Sequence, residues 1–311
     1  MPLQRVLTDF GVDTPFGRVP RKLKEHYGIE VPIGAIQRIT ERHAQACYAQ
    51  EQARIVRADA AAAGVFIGEM DGSMMPVVET LPAAPDRRRA KVLAWREVRL
   101  CLVHRHGEVT PTFGGHLEGG VEESGRQFKR CAVQAGFGRN SELHAVGDGA
   151  PWIADQVELQ FGRQGRYLVD FYHVSEYLVA ASKRCAANAP DAWVDDQERR
   201  LKANQAERVL ASLVPFLETD LTEDSAAPVR ACHRYLSNRL DHLDYHGAIE
   251  RGLPIGSGEI ESAHRYLIQE RLKGSGMWWT PAHAQAMLAL RLKRANGEWE
   301  SYWQGIDREV A

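Results

Sequence analysis

The sequence predicts an α/β protein: a mixed sheet flanked by helices, a helical insertion after the strands, and a helical region ahead of them. Three observations predict it. Short apolar runs bounded by glycine fill residues 64–173, with helices between them. Helical patterning then takes over from Val174 to about Ile249 with no further strand. Residues 1–60 carry helical patterning throughout. A length of 311 residues, 44% of them hydrophobic, supports one large domain or two to three smaller ones.

Taken in order, Pro20–Tyr27 and Ile33–Ala53 flank a Gly28–Pro32 turn, with Ile33, Ile36 and Ile39 about one turn apart. This is a helix-turn-helix candidate for reading DNA, and equally a plain helical hairpin. Gly64–Asp71 and Met74–Glu79 read as strands joined by a turn at Gly72-Ser73, Asp86–Lys91 as a basic loop, and Val92–His104 as an alternating strand. Gly107–Gly120 reads as a turn, Glu122–Phe137 as an amphipathic helix, and Glu142–Val146 as a strand ending at Gly147-Asp148-Gly149. A helix over Ala150–Phe161 and a strand over Tyr167–Tyr172, with His173 at its end, follow. Pro190, Pro215 and Pro228 break the helical stretch. A loop over Gly252–Gly258 leads to helices over Glu259–Leu272 and Thr280–Ala295. The organisation is therefore a helical region 1–60, a first part of the core 61–173, an insertion 174–250 and a closing part 251–311.

Composition narrows the classes. Lys+Arg 39 against Asp+Glu 41 excludes a histone-like coat and an acidic disordered tail. The balance is uneven, however. Residues 262–295 carry six bases against Glu270 alone, a net of +5, and residues 186–225 carry nine acids against four bases, a net of −5. A basic face beside the closing helices is the expectation. Five scattered cysteines without a CxxC pair exclude a zinc ribbon or a disulfide framework and point to a reducing cytoplasm. No secretory signal opens the sequence and no run of eighteen apolar residues occurs, so no membrane association is expected.

The informative residues are carboxylates at the ends of apolar runs. Asp71 closes Phe66-Ile-Gly-Glu-Met-Asp and Asp148 closes Leu143-His-Ala-Val-Gly-Asp, each followed by glycine, which lets another group approach closely. Singly, each reads as an Asp opening a turn. Glu259 and Glu261 fall in the first turns of a helix that Ser257 is placed to cap, and a spacing of two leaves one of them facing any shared site. Together, three acids on two strands and a helix could gather two Mg²⁺ ions for phosphoryl displacement.

Several longer stretches carry a resemblance. Thr8-Asp-Phe-Gly, Lys24-Glu-His-Tyr-Gly-Ile-Glu-Val-Pro, Asp71-Gly-Ser and Gly147-Asp-Gly-Ala contribute. Asp170-Phe-Tyr-His-Val-Ser-Glu-Tyr-Leu, Gly256-Ser-Gly-Glu-Ile-Glu-Ser and Arg271-Leu-Lys-Gly-Ser-Gly-Met-Trp-Trp are the specific ones. From Leu7 to Trp303 the chain resembles the bacterial insertion-sequence DDE transposases of the ISKra family, related to the Mutator-like enzymes. The resemblance implies an RNase H-like catalytic core interrupted by a helical insertion. It implies Asp71, Asp148 and Glu261 as the catalytic and metal-holding acids, with two Mg²⁺ (or Mn²⁺). Glu261 is preferred over Glu259 on the family pattern Gly-Ser-Gly-x-x-Glu-Ser. Asp170 and His173 match an Asp-x-x-His element, and His173 could orient a scissile phosphate or rest as a structural histidine. Arg265, Arg271 and Lys273, with the Arg87-Arg88-Arg89 cluster, are the expected DNA contacts. Trp278 and Trp279 suit base stacking or core anchoring. The implied partners are double-stranded DNA, as transposon ends and target, and further copies of the chain in a synaptic complex, in a cytoplasmic, nucleoid-associated setting. Family members often run longer at the N-terminus with a cysteine-containing segment, so a short form or a truncated copy is expected here. Two other readings stand beside this one: a transposase-derived DNA-binding protein that cannot cut, and a structure-selective RNase H-like nuclease.

Overall fold

A computed structural model describes residues 2–58, 61–80 and 91–310, the last four as backbone only. Three helices open the chain: α1 (Pro2–Asp13), α2 (Val19–Tyr27) and α3 (Ile33–Ala53). Helix α2 starts with Pro20 in its first turn, where a missing N–H costs nothing, and stops at Gly28 in the left-handed region (φ 67°). Leu7, Val19, Leu23 and Ile36 form a small core among these helices. Val12, Ala44 and Cys47 join a larger core with Met287, Leu290 and Trp303 from the end of the chain, so the opening helices are packed onto the body.

Among the described residues the sheet has five strands, in the order β3-β2-β1-β4-β5. They are β1 (Ala63–Thr80), β2 (Lys91–Arg105), β3 (Thr112–His116), β4 (Asn140–Gly147) and β5 (Gly165–Val169). Strand β2 runs antiparallel to both β1 and β3, while β4 and β5 run parallel to β1. Helices α4 (Gly120–Gln134) and α5 (Pro151–Phe161) supply the crossovers that parallel strands need. The two-residue alternation of β1 gives each face its own core. Phe66 and Met70 meet Phe128, Cys131, Ile153 and Phe161 on the α4/α5 side. Ile67 faces the helical insertion, and Met75 and Val77 face the closing helices.

The insertion consists of α6 (Phe171–Cys185), α7 (Pro190–Lys202), α8 (Ala206–Leu213), α9 (Pro228–Ser237) and α10 (Tyr245–Glu250), around Leu178, Val209, Cys232 and Tyr245. Pro190 and Pro228 sit at helix starts, where proline initiates as readily as it breaks. The chain closes with α11 (Gly258–Ala263), a π-helical stretch His264–Gln269, α12 (Glu270–Leu272), α13 (Pro281–Ala295) and α14 (Trp299–Val310).

Three sequence expectations are corrected. There is no turn at Gly72-Ser73: β1 runs straight through and pairs with β2 to Thr80↔Lys91. A Cβ on Gly72 would lie 2.3 Å from Glu97 Oε1, the mobile end of a side chain on the paired strand. The segment taken as a turn over 107–120 contains β3, hidden by Gly114 and Gly115. A Cβ on Gly114 would meet Cys131 Sγ at 2.6 Å, and one on Gly115 would meet Leu100 at 2.5 Å. Strand β5 ends at Val169, so Asp170 caps α6 and His173 belongs to the first turn of that helix.

Candidate active site

Register brings the acids together. Strand β1 pairs with β4 as far as Glu69↔Val146, and β4 with β5 as far as Gly147↔Val169. Two residues beyond the first pair stand Asp71 and Asp148. One residue beyond the second stand Asp148 and Asp170, whose N–H donates to Gly147 O (2.7 Å). Three aspartates therefore sit level across three adjacent parallel strands, at the carboxyl edge where α/β sheets place their ligands.

Glu261 comes from α11. It walls an open cavity of about 610 Å³ together with Asp71, Ser73, His264 and Arg265. It also lines the neighbouring hollow with Asp170, Tyr172 and Gly256. Side-chain donor atoms of Asp170, His173 and Glu261 lie within 4.8 Å of one another, a grouping that Asp71 and Asp148 do not join. Glu259 points elsewhere, with its Oε2 3.4 Å from His104 Nε2.

The electrostatics are those of crowded carboxylates. Burial pushes Asp71 up to about 6, and the charges of Asp148 and Glu261 add to it against the Gly72 N–H that Oδ1 accepts (2.7 Å). Glu69, two residues earlier on the same face of β1, is 2% exposed and is pushed to about 8, by burial first and then by Glu259, Asp170 and Glu261. Asp170 behaves oppositely. Burial would raise it, yet hydrogen bonds from His173 and Ser257 outweigh burial and hold it at about 2. His173, with Nδ1 3.7 Å from Asp170 Oδ2, is lifted by that carboxylate to about 9 and is an imidazolium at neutral pH.

Two of these buried carboxylates hold the segment that delivers Glu261. Asp170 Oδ2 accepts from both the N–H and the Oγ–H of Ser257, each at 2.6 Å. Glu69 Oε2 accepts from Ile260 N–H at 2.7 Å. Ser257, expected to cap α11 with its hydroxyl, instead spends that hydroxyl on Asp170. With all four of its hydrogen bonds made inside the protein, Asp170 is an anchor for the loop. Glu69 and the Ser257 contact escaped the sequence reading, because a Glu within a strand and a Gly-Ser-Gly loop carry no signal that they meet.

The expected DNA contacts divide. Arg265 is exposed on the cavity wall. Lys273 turns inward, donating from Nζ to Ser73 Oγ (2.8 Å). Arg87, Arg88 and Arg89 lie outside the described residues. The expectation for Arg271 is corrected: it is 1% exposed, donates twice to Gly11 O (3.0 and 3.2 Å) and lies over the rings of Phe16 and Trp279. Arg291 does the same for the end of α1, bonding Val12 O and Asp13. Arg294 pairs with Asp9 and Asp13, and Lys293 with Glu298. Most of the +5 segment thus fastens helices together. Charge counted along a chain does not say which way a side chain faces. Trp279 is buried in the core and Trp278 is 67% exposed, so the pair has split roles. Arg271→Met should destabilise the protein by about 2–4 kcal/mol in urea titration, since α1 loses a charged donor at its last carbonyls.

Comparison with known proteins adds the following. A profile described as "Uncharacterised protein family (UPF0236)" matches residues 138–304. A protein named "UPF0236 protein in vanSb 3'region" from Streptococcus gallolyticus is 26% identical over 158 residues, which is 50% of this chain and 34% of that protein. The chain thus matches about a third of that relative's length. A solved structure titled "Crystal structure of NurA" aligns over 86% of this chain and 64% of its own at 11% identity, but its TM-score of 0.12 carries no argument. Among the described residues, no helix is long and apolar enough to cross a membrane.

Proposed function

The chain belongs to the uncharacterised protein family UPF0236, and from that footing we propose that it is an insertion-sequence DNA transposase of the ISKra type, with a DDE active site on an RNase H-like core. The observation that carries this reading is the level placement of Asp71 and Asp148 on neighbouring parallel strands, with Glu261 facing Asp71 across one cavity. The strand order, three antiparallel strands followed by two parallel ones with a helical insertion after the fifth, supports the RNase H-like assignment.

The donor set suits a hard divalent cation. Asp71 is held above its usual range by burial and by neighbouring carboxylates, a negative cluster that a dication would relieve. Asp71, Asp148 and Glu261 would hold two Mg²⁺ or Mn²⁺ ions. When bound, such a pair supplies activation of water or of a 3′-hydroxyl and neutralises charge on the departing oxygen. The remaining work falls to the chain. Glu69 and Asp170 keep Glu261 on its turn of α11, and the His173 imidazolium with Arg265 offers positive charge to a phosphate entering the cavity. On this reading the substrates are the terminal inverted repeats and target DNA, engaged by more than one copy of the chain.

The test is strand nicking of a terminal-repeat duplex. Cleavage should need Mg²⁺ or Mn²⁺, stop with EDTA and depend on the repeat sequence. Gel-shift binding with no cutting under any divalent ion would replace this reading with a binding protein. Equal cutting of branched DNA of unrelated sequence would replace it with a structure-selective nuclease.

A further inference from the structure

A line of polar contacts ends on Asp71. Lys273 Nζ donates to Ser73 Oγ at 2.8 Å, and Ser73 Oγ lies 3.2 Å from His264 Nδ1. On the other side of the ring, His264 Nε2 is 3.3 Å from the Asp71 carbonyl oxygen and 3.5 Å from its Oδ2. Asp71 and Ser73 share one face of β1, and His264, 3% exposed, opens the π-helical stretch over that face. A π-turn re-aims a side chain that a regular helix would carry elsewhere.

The proton order along this line follows from its two ends. An ammonium only donates, and a peptide carbonyl only accepts. Ser73 therefore accepts a hydrogen bond from Lys273 and donates its own O–H to His264 Nδ1, leaving His264 to donate from Nε2 toward Asp71. The opposite tautomer would aim a nitrogen lone pair at two oxygens of Asp71. A second cation in this buried position, next to an ammonium, is disfavoured as well. Gly72 N–H holds the Asp71 carboxylate at Oδ1 (2.7 Å), while His264 holds the main-chain carbonyl of the same residue with its ring NH close to Oδ2.

We propose that Lys273, Ser73 and His264 are positioning residues that set the orientation of Asp71 through a single-tautomer relay. The proposal rests on the reading of Asp71 as a metal-holding acid. It also reassigns Lys273 from the DNA surface to the interior of the site. Outer partners of this kind fix ligand orientation, and their loss weakens metal binding by about 10–100-fold.

Two measurements on the full chain test it. The ¹⁵N shifts of the His264 ring should report a neutral Nε2–H tautomer at neutral pH. They should change in Ser73→Ala, a response that a ring serving only as packing would not give. An Nδ1–H tautomer would overturn the proposal, whether or not the wild type binds metal. Mn²⁺ titration followed by electron paramagnetic resonance should show affinity falling about 10-fold or more in His264→Leu. Affinity should recover to within a few-fold in His264→Gln, whose amide keeps a donor toward Asp71. Unchanged affinity in His264→Leu would also overturn it. Lys273→Met should leave the salt slope of DNA binding intact, and a slope reduced by about one would place Lys273 on a phosphate instead. A wild type that binds no Mn²⁺ would sink the metal-site reading and, with it, the relay's functional role, while the tautomer result would still stand or fall separately.

Discussion

Asp148→Asn is expected to reduce metal-dependent nicking about 1,000-fold or more while leaving the melting curve nearly unchanged. The separation of effects comes from the geometry. Asp148 Oδ1 accepts from Ala150 N–H at 2.8 Å, a bond that an asparagine oxygen keeps, and Tyr235 bonds the main-chain oxygen of residue 148. The substitution therefore removes a charge and little else. Glu261→Gln should behave in the same way, since Glu261 is exposed on the cavity wall. Glu259→Gln should stay within about threefold of wild type, because that side chain faces His104. Single-turnover nicking with Mg²⁺ decides the matter. Cleavage by Asp148→Asn within tenfold of wild type, or a larger loss in Glu259→Gln than in Glu261→Gln, would remove the proposed triad.

Asp170→Ala should produce the largest loss of stability, about 3–5 kcal/mol in urea titration. Its Oδ1 accepts from Tyr172 N–H (2.6 Å) and His173 N–H (3.2 Å), capping α6, and its Oδ2 holds both donors of Ser257. Alanine leaves four donors, two of them on the buried Ser257, without the single carboxylate that joins α6 to the loop ahead of α11. The pH dependence has a definite sign. The folded-state value for Asp170 is depressed to about 2, below its ordinary 3.8. Its contribution is thus complete above pH 4 and lost as pH falls toward 2. His173 is raised to about 9 from 6.5, so its contribution is complete below about pH 6 and is lost as pH rises through 9. The stability gap between wild type and Asp170→Ala should be widest between about pH 4 and 6 and narrower at both ends. A gap that grew above pH 9 would separate His173 from Asp170.

Much of the frame was legible before any coordinates. Asp71 and Asp148 stood out because apolar runs ending in Asp-Gly mark strand ends, and the strand ladder then placed them level. The helical insertion was legible from periodicity alone. What stayed hidden depends on contacts between distant segments. Ser257 and Asp170 are 87 residues apart, and Ile260 and Glu69 are 191 apart. His264 sits in what reads as an ordinary amphipathic helix, and its π-turn has no sequence signature. β3 was lost because glycines that admit sulfur atoms look, in one dimension, like glycines that make turns. Arg271 misled for a related reason: a guanidinium's five donors can cap a buried helix end as well as meet a phosphate.

The arginines that grip α1 have a mechanical consequence. Arg271 and Arg291 reach from the closing helices to the last carbonyls of α1, while α3 shares its core with α13 and α14. The opening helices are thus clamped to the half of the molecule that carries Glu261. If those helices grip a duplex, the span from the gripped bases to the row of aspartates is a constant of the protein. Such a molecule works as a caliper. It would cut at one set distance from its recognition sequence, where a reading head on a loose tether would scatter its cuts.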